Sequence, residues 1–167
     1  MIADKGGRAP SILDEIKQVK PAHARSQEAY LALLRTADEA KRHITHVLES
    51  AGVTLQQYNV LRILRGAGGE GLPTLAVADR MLERTPGVTR LIDRMERKGW
   101  VTRRRCTEDR RRVWCDITAC GLDLLEPLDE PVARIDKTFF GALEEREIED
   151  LIGYLDRIRA QLRETAD

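Results

Sequence analysis

Arg90, Asp93, Arg94 and Arg97 follow closely on Pro86, Gly87 and Thr89. Guanidiniums at this density either pair with neighbouring carboxylates or grip a polyanion. On a helix turning about 100° per residue, Val88, Leu91, Ile92 and Met95 fall on one side. Pro86, Arg90, Asp93 and Arg97 fall opposite, flanked by Gly87, Thr89 and Arg94. Such a helix buries one side and presents guanidiniums, a hydroxyl and a small residue near its N-terminus on the other. These groups suit the reading of base edges, with Arg bidentate on guanine O6 and N7. Asp93 has two readings, as an acceptor for cytosine or as an anchor for Arg90 or Arg97 within the helix.

A second basic group follows, made of Arg103, Arg104, Arg105, Arg110, Arg111 and Arg112. It suits an adjacent groove or its phosphates, and a guanidinium in a narrow minor groove reads shape rather than sequence. Asp109, set among arginines, reads as pinning one of them and stiffening the loop. From Arg84 to Arg112 there are eleven Lys or Arg against four acids, a net +7 in a chain of formal charge zero, so the remainder carries −7. Segregated charge steers one face onto a polyanion. A solvated basic helix without a partner is the plainer reading of charge alone.

The elements that position these residues follow from period and punctuation. Ile12, Ile16 and Val19 have helical spacing between Ser11 and Lys20, and Pro21 ends that segment. A long helix is expected over about Ser26 to Ala51, stopped by Gly52. Thr54 and Gln57 form a capping box for the next helix. Gly66 to Gly71 reads as a loop before a strand. Thr74 is expected to cap a short helix to about Leu82, with Glu83 and Arg84 as the turn. Thr85 then caps the basic helix, Pro86 takes its first position, and Gly99 closes it. Two short helices about a tight turn are a helix-turn-helix pattern. After Gly99 the period becomes two: Trp100 to Arg104 and Val113 to Ile117 make a hairpin with residues 105–112 at its tip, a wing. Thr118 opens the last helical part, where Pro127 and Pro131 are expected to kink the chain.

The final helix, Glu144 to Thr165, carries Ile148, Leu151, Leu155, Ile158 and Leu162 at spacings of three and four. That seam suits a partner helix in a dimer, or packing on the chain's own first helix. Aromatics are 4% of residues, too few for an aromatic-lined site. No apolar run spans a membrane and no signal peptide opens the chain, so a cytoplasmic site without a membrane partner is expected. Cys106, Cys115 and Cys120 lack paired metal spacing and are expected to be reduced. Cys106, among arginines, is the candidate for a lowered thiol pKa, and Cys115 is expected inside and inert. His43 and His46 read as solvated helix residues rather than a zinc site. No phosphate-cradling loop or nucleophile–base pair is present, so an enzyme is not expected, and no cofactor is implied.

The run Thr85-Pro86-Gly87-Val88-Thr89-Arg90-Leu91-Ile92-Asp93-Arg94-Met95-Glu96 resembles the MarR (multiple antibiotic resistance regulator) family. So do Glu108-Asp109-Arg110-Arg111-Arg112-Val113, Ile117-Thr118-Ala119-Cys120-Gly121 and Gln57 to Leu64. The resemblance covers about residue 26 to the C-terminus. It implies that Asp109 orders the wing and Arg111 enters the minor groove. It also implies a dimer with intertwined first and last helices, and a small, often phenolic or anionic, effector. Tyr58 and His43 are weak candidates for binding that effector. The chain departs from the family in its heavy Arg103–Arg105 run, in Glu144 where Ser or Thr often caps the last helix, and in the Ile12–Val19 extension.

The expected fold is mainly α with a small β-wing, a winged helix-turn-helix DNA-binding part plus a helical dimerisation part. Its divisions are an extension (1–21), a dimerising first helix (22–53), the DNA-binding part (54–118) and dimerising C-terminal helices (119–167). The expected DNA-facing residues are Thr85, Pro86, Gly87, Thr89, Arg90, Asp93, Arg94, Arg97, Arg105, Asp109, Arg110 and Arg111. The expected function is a sequence-specific regulator, a homodimer on double-stranded DNA. Other readings are a winged-helix protein-interaction module and a thiol-based redox regulator. Guanidiniums on both helix and wing favour DNA.

Overall fold

The computed structural model describes residues 10–19, 24–83, 86–105 and 112–165. The chain divides into two compact units, residues 1–43 and 44–167. The first holds α1 (Ile12–Glu15) and most of α2 (Arg25–Glu49). Ser11 and Asp14 cap α1 reciprocally: the Ser11 hydroxyl accepts the Asp14 N–H at 3.3 Å, and the Asp14 carboxylate accepts the Ser11 N–H at 3.1 Å. The helix expected across Ser11 to Lys20 is only this single turn. Lys17 takes the left-handed conformation, φ 53°, just beyond it, and Val19 is left exposed. Along α2 the large apolar residues left exposed are Tyr30, Leu33 and Leu34.

In the second unit, Gly52, with φ 65°, turns the chain from the end of α2 into α3 (Leu55–Gly66). Thr54 and Gln57 cap α3 as the sequence predicts. The Thr54 hydroxyl accepts the Gln57 N–H at 3.3 Å, and Gln57 Oε1 accepts the Thr54 N–H at 3.0 Å. Next come β1 (Leu72–Pro73), α4 (Thr74–Arg80), α5 (Val88–Arg97), β2 (Val101–Arg105) and β3 (Val113–Ile117). Two longer helices follow, α6 (Ala119–Phe140) and α7 (Glu145–Glu164). The sheet is antiparallel in the order β1-β3-β2, with Leu72 opposite Cys115 and Arg105 opposite Val113. Its core is shared by Leu48, Leu61, Leu64, Ile92, Met95 and Leu125, all buried. Each contributes roughly 1.5–3 kcal/mol of burial.

Thr74 is not a cap. It is the first residue of α4, and its hydroxyl donates to the Val113 carbonyl at 3.2 Å, because β1 has already carried the chain onto β3. Thr118 does cap, accepting the Gly121 N–H at 3.1 Å and donating to the Gly99 carbonyl at 2.6 Å. At Gly121 a Cβ would lie 2.3 Å from the Trp100 carbonyl oxygen, so only glycine allows α6 to start this close to the end of α5. Helix α6 runs through Pro127 and Pro131. Along α7, Ile148, Leu151 and Leu155 are half-buried, and Ile158 and Leu162 are 47% and 62% exposed.

Candidate nucleic-acid interface

The helix-turn-helix is α4 and α5, with a longer turn than Glu83–Arg84. Met81 is already extended, and the Leu82 N–H is held by Asn59 Oδ1 of α3 at 2.9 Å. Asn59 is a positioning residue that no local pattern in the chain marks. Pro86 is not the first helical residue. Gly87 has φ 84° and stands as the N-cap, so α5 begins at Val88 and Pro86 belongs to the turn. A residue with a side chain there would be strained, which explains Gly87. Thr85 lies outside the described residues.

The two faces of α5 divide as the helical projection requires. Val88, Leu91, Ile92 and Met95 are buried. Pro86, Gly87, Thr89, Arg90, Arg94 and Arg97 are exposed. Within the described residues, Arg90, Arg94 and Arg97 make no ion pair, so their guanidiniums face solvent uncompensated. Asp93 anchors neither Arg90 nor Arg97. It is half-buried and pairs with Arg103 of β2.

Arg103 is therefore not part of the wing tip. Its Nε donates to Glu96 Oε2 at 2.8 Å, and Asp93 takes another N–H of the same guanidinium. The Glu96 hydrogen bond, with help from Asp93, holds its pKa above the ordinary arginine value. Arg104 is also committed. Its Nη2 donates to the Glu70 carbonyl at 3.0 Å, its Nε lies 3.2 Å from Asp116 Oδ2, and its guanidinium stacks over Trp114 at 5.0 Å. Arg105 and Arg112 are exposed at the ends of the strands that lead to the tip. Alternation gave the missing signal for Arg103. Val101 is buried, and Arg103, two residues on, shares its side of the strand, toward α5. Cys106, Asp109, Arg110 and Arg111 lie outside the described residues.

An open groove of about 880 Å³ lies between the first turn of α3 and the N-terminal half of α5. Gln56 forms its α3 side, and Thr89, Arg90 and Arg94 form much of the other. Gln56 was not among the sequence candidates.

The weaker candidates separate. Tyr58 is buried, and its hydroxyl accepts from Arg62 Nη1 at 3.0 Å, a structural bond. His43 is exposed on α2. Cys115 is buried as expected, and burial pushes its thiol pKa up despite the Thr74 hydroxyl. Cys120 is exposed. Among the described residues no set of three His, Cys, Asp or Glu could hold a metal. No described helix is long and apolar enough to cross a membrane.

The MarR family model matches residues 53–113, which hold α3 to the wing. The chain is similar to the crystal structure of a MarR transcription factor from Planctomyces limnophilus. The identity is 40% and the TM-score 0.62, over 81% of this chain and 98% of that one. It is 30% identical over 119 residues to a Thauera aromatica protein described as a transcriptional regulator for the hcr operon, covering 71% of this chain and 70% of that protein. It is also similar to S. aureus MepR in complex with DNA. There the identity is 25% and the TM-score 0.72, over 85% of this chain and 99% of that one.

Proposed function

Since the chain belongs to the MarR family of DNA-binding transcriptional regulators, we propose that it acts in the cytoplasm as a homodimeric repressor on an operator of two half-sites. The observation that carries this reading is the outward face of α5. Thr89, Arg90 and Arg94 are exposed there while the opposite face is buried. Arg90 reads a base edge in the major groove, and Arg94 and Arg97 flank it on phosphate or base. Arg105 leads into a wing whose Arg111, by resemblance, enters the minor groove, ordered by Asp109. One recognition helix per subunit places the half-sites about 10 base pairs apart, centre to centre.

The second copy is supported by the seam of α7, which is half-buried to exposed along its whole length. A small aromatic or anionic effector that alters DNA binding rests on the family resemblance. The Tyr58 hydroxyl, one of the two sequence candidates for binding it, already accepts from Arg62.

Capture of genomic fragments by the purified protein, followed by sequencing, tests the reading. A shared motif with two related halves about 10 base pairs apart supports it. A pool with no enriched motif contradicts it. A reporter behind the enriched promoter that rises when the protein is removed supports repression, and one that falls contradicts it.

A further inference from the structure

We infer that Gln56 is a contact to the DNA backbone, and that the groove between α3 and α5 seats one sugar-phosphate strand. The inference rests on α5 being the DNA face and adds a second element to it. Its first support is the chemistry of the groove. Gln56, Thr89, Arg90 and Arg94 line it, and no lining residue is acidic. Besides Arg90, the base reader proposed above, these side chains supply an amide N–H₂, a hydroxyl and a guanidinium, each able to donate. Phosphate oxygens only accept, so a wall of donors fits them.

The second support is the contrast between two adjacent glutamines. Gln57 is buried and closes the capping box with Thr54. Gln56 is only half-buried, and its amide makes no hydrogen bond within the described residues. One glutamine completes the helix start, and the other is left facing the groove.

The third support is docking geometry. A recognition helix enters the major groove through its N-terminal residues, and the first helix of the motif crosses the DNA backbone that borders that groove. The α3 side of this groove lies beside the N-terminal half of α5, where that backbone must pass. Gln56 is neutral, so its contact grips without releasing a counterion.

The test is a fluorescence-anisotropy titration of the full-length protein with a duplex of random sequence, across a salt series. Gln56→Ala is expected to weaken binding about fivefold per half-site, as one neutral hydrogen bond is lost. The slope of log K against log salt is expected to stay as in wild type. Gln56→Lys is expected to bind at least as well as wild type, with a slope steeper by about 0.9 for each new phosphate contact. Gln56→Glu is expected to bind worse than Gln56→Ala. All three are expected to melt with wild type, because no internal hydrogen bond is lost.

The inference is overturned if Gln56→Ala and Gln56→Glu bind like wild type, or if Gln56→Lys leaves the salt slope unchanged. A loss confined to the enriched genomic motif, absent on random duplex, overturns it too and makes Gln56 a base reader. If Arg90→Ala weakens binding to the enriched genomic motif while the Gln56 variants bind motif and random duplex like wild type, this inference falls and the α5 reading stands. If wild type shows no salt-dependent binding to any duplex, both fall.

Discussion

Arg103 of β2 donates from Nε to Glu96 Oε2 of α5 at 2.8 Å, and so ties the first strand of the wing to α5. With Asp93 on the same guanidinium, both acids of α5 are neutralised by one residue of the wing. The outward face of α5 then carries positive charge without local opposition, and the wing is fixed in angle to the helix.

Arg103→Ala is therefore expected to weaken DNA binding, although Arg103 does not lie on the outward face of α5. It uncovers two carboxylates beside the DNA and frees the wing. Glu96→Gln in the Arg103→Ala background is expected to recover part of the loss. A double-mutant cycle of the pair by chemical denaturation is expected to give a coupling of about 0.5–1 kcal/mol, because both partners are partly exposed. Additive effects on both stability and DNA affinity would separate wing from helix.

Gly121→Ala is expected to destabilise the fold by roughly 1–3 kcal/mol, the range for forcing an atom into packed structure. The added Cβ meets the Trp100 carbonyl oxygen, a backbone atom that cannot turn away. Urea denaturation measures it, and an unchanged midpoint would mean that α6 has room to start elsewhere.

Asp129 is expected to contribute to the acid limb of stability. Arg65 of α3 holds its carboxylate with two hydrogen bonds, of 2.7 and 2.8 Å, and that pairing lowers its pKa below the ordinary aspartate value. A depressed folded-state pKa contributes stability above the unfolded value, which is lost as pH falls through the folded one. Wild type is thus expected to exceed Asp129→Asn by a constant margin near neutrality. The margin is expected to shrink below the usual carboxylate range. A margin independent of pH, measured by denaturation across an acid series, would show that the ion pair does not carry it.

The inner and outer faces of α5 were legible because helical period alone separates Val88, Leu91, Ile92 and Met95 from Arg90 and Arg97. The capping box of Thr54 and the left-handed Gly99 were legible because local chemistry decides them. The start of α5 was not, since the preference of Pro for a first position was overruled by Gly87 in the left-handed region. The fates of Arg103, Arg104 and Arg65 depend on partners 7 to 64 residues away, which no local period reveals. Gln56 was passed over because a neutral side chain leaves no mark in a charge pattern.

Leu155→Asp is expected to leave a monomer, because it sets a charge in the middle of the α7 seam, between Leu151 and Ile158. Sedimentation velocity decides it. A variant that sediments as a dimer like wild type would remove α7 from the dimer interface.

In the proposed complex α5 reads sequence while the wing grips shape. The direct measurement is the affinity of wild type, Arg90→Ala and Arg111→Ala for the enriched genomic motif and for random duplex, each across a salt series. Arg90→Ala is expected to lose about 1–3 kcal/mol per affected base pair on the motif and little on random DNA, relaxing one position per half-site. Arg111→Ala is expected to weaken both DNAs and to make the salt slope shallower by about one counterion per subunit. Equal losses on motif and random DNA with the same salt dependence would contradict base reading by α5, and wild-type affinity in both variants would remove DNA from this face altogether.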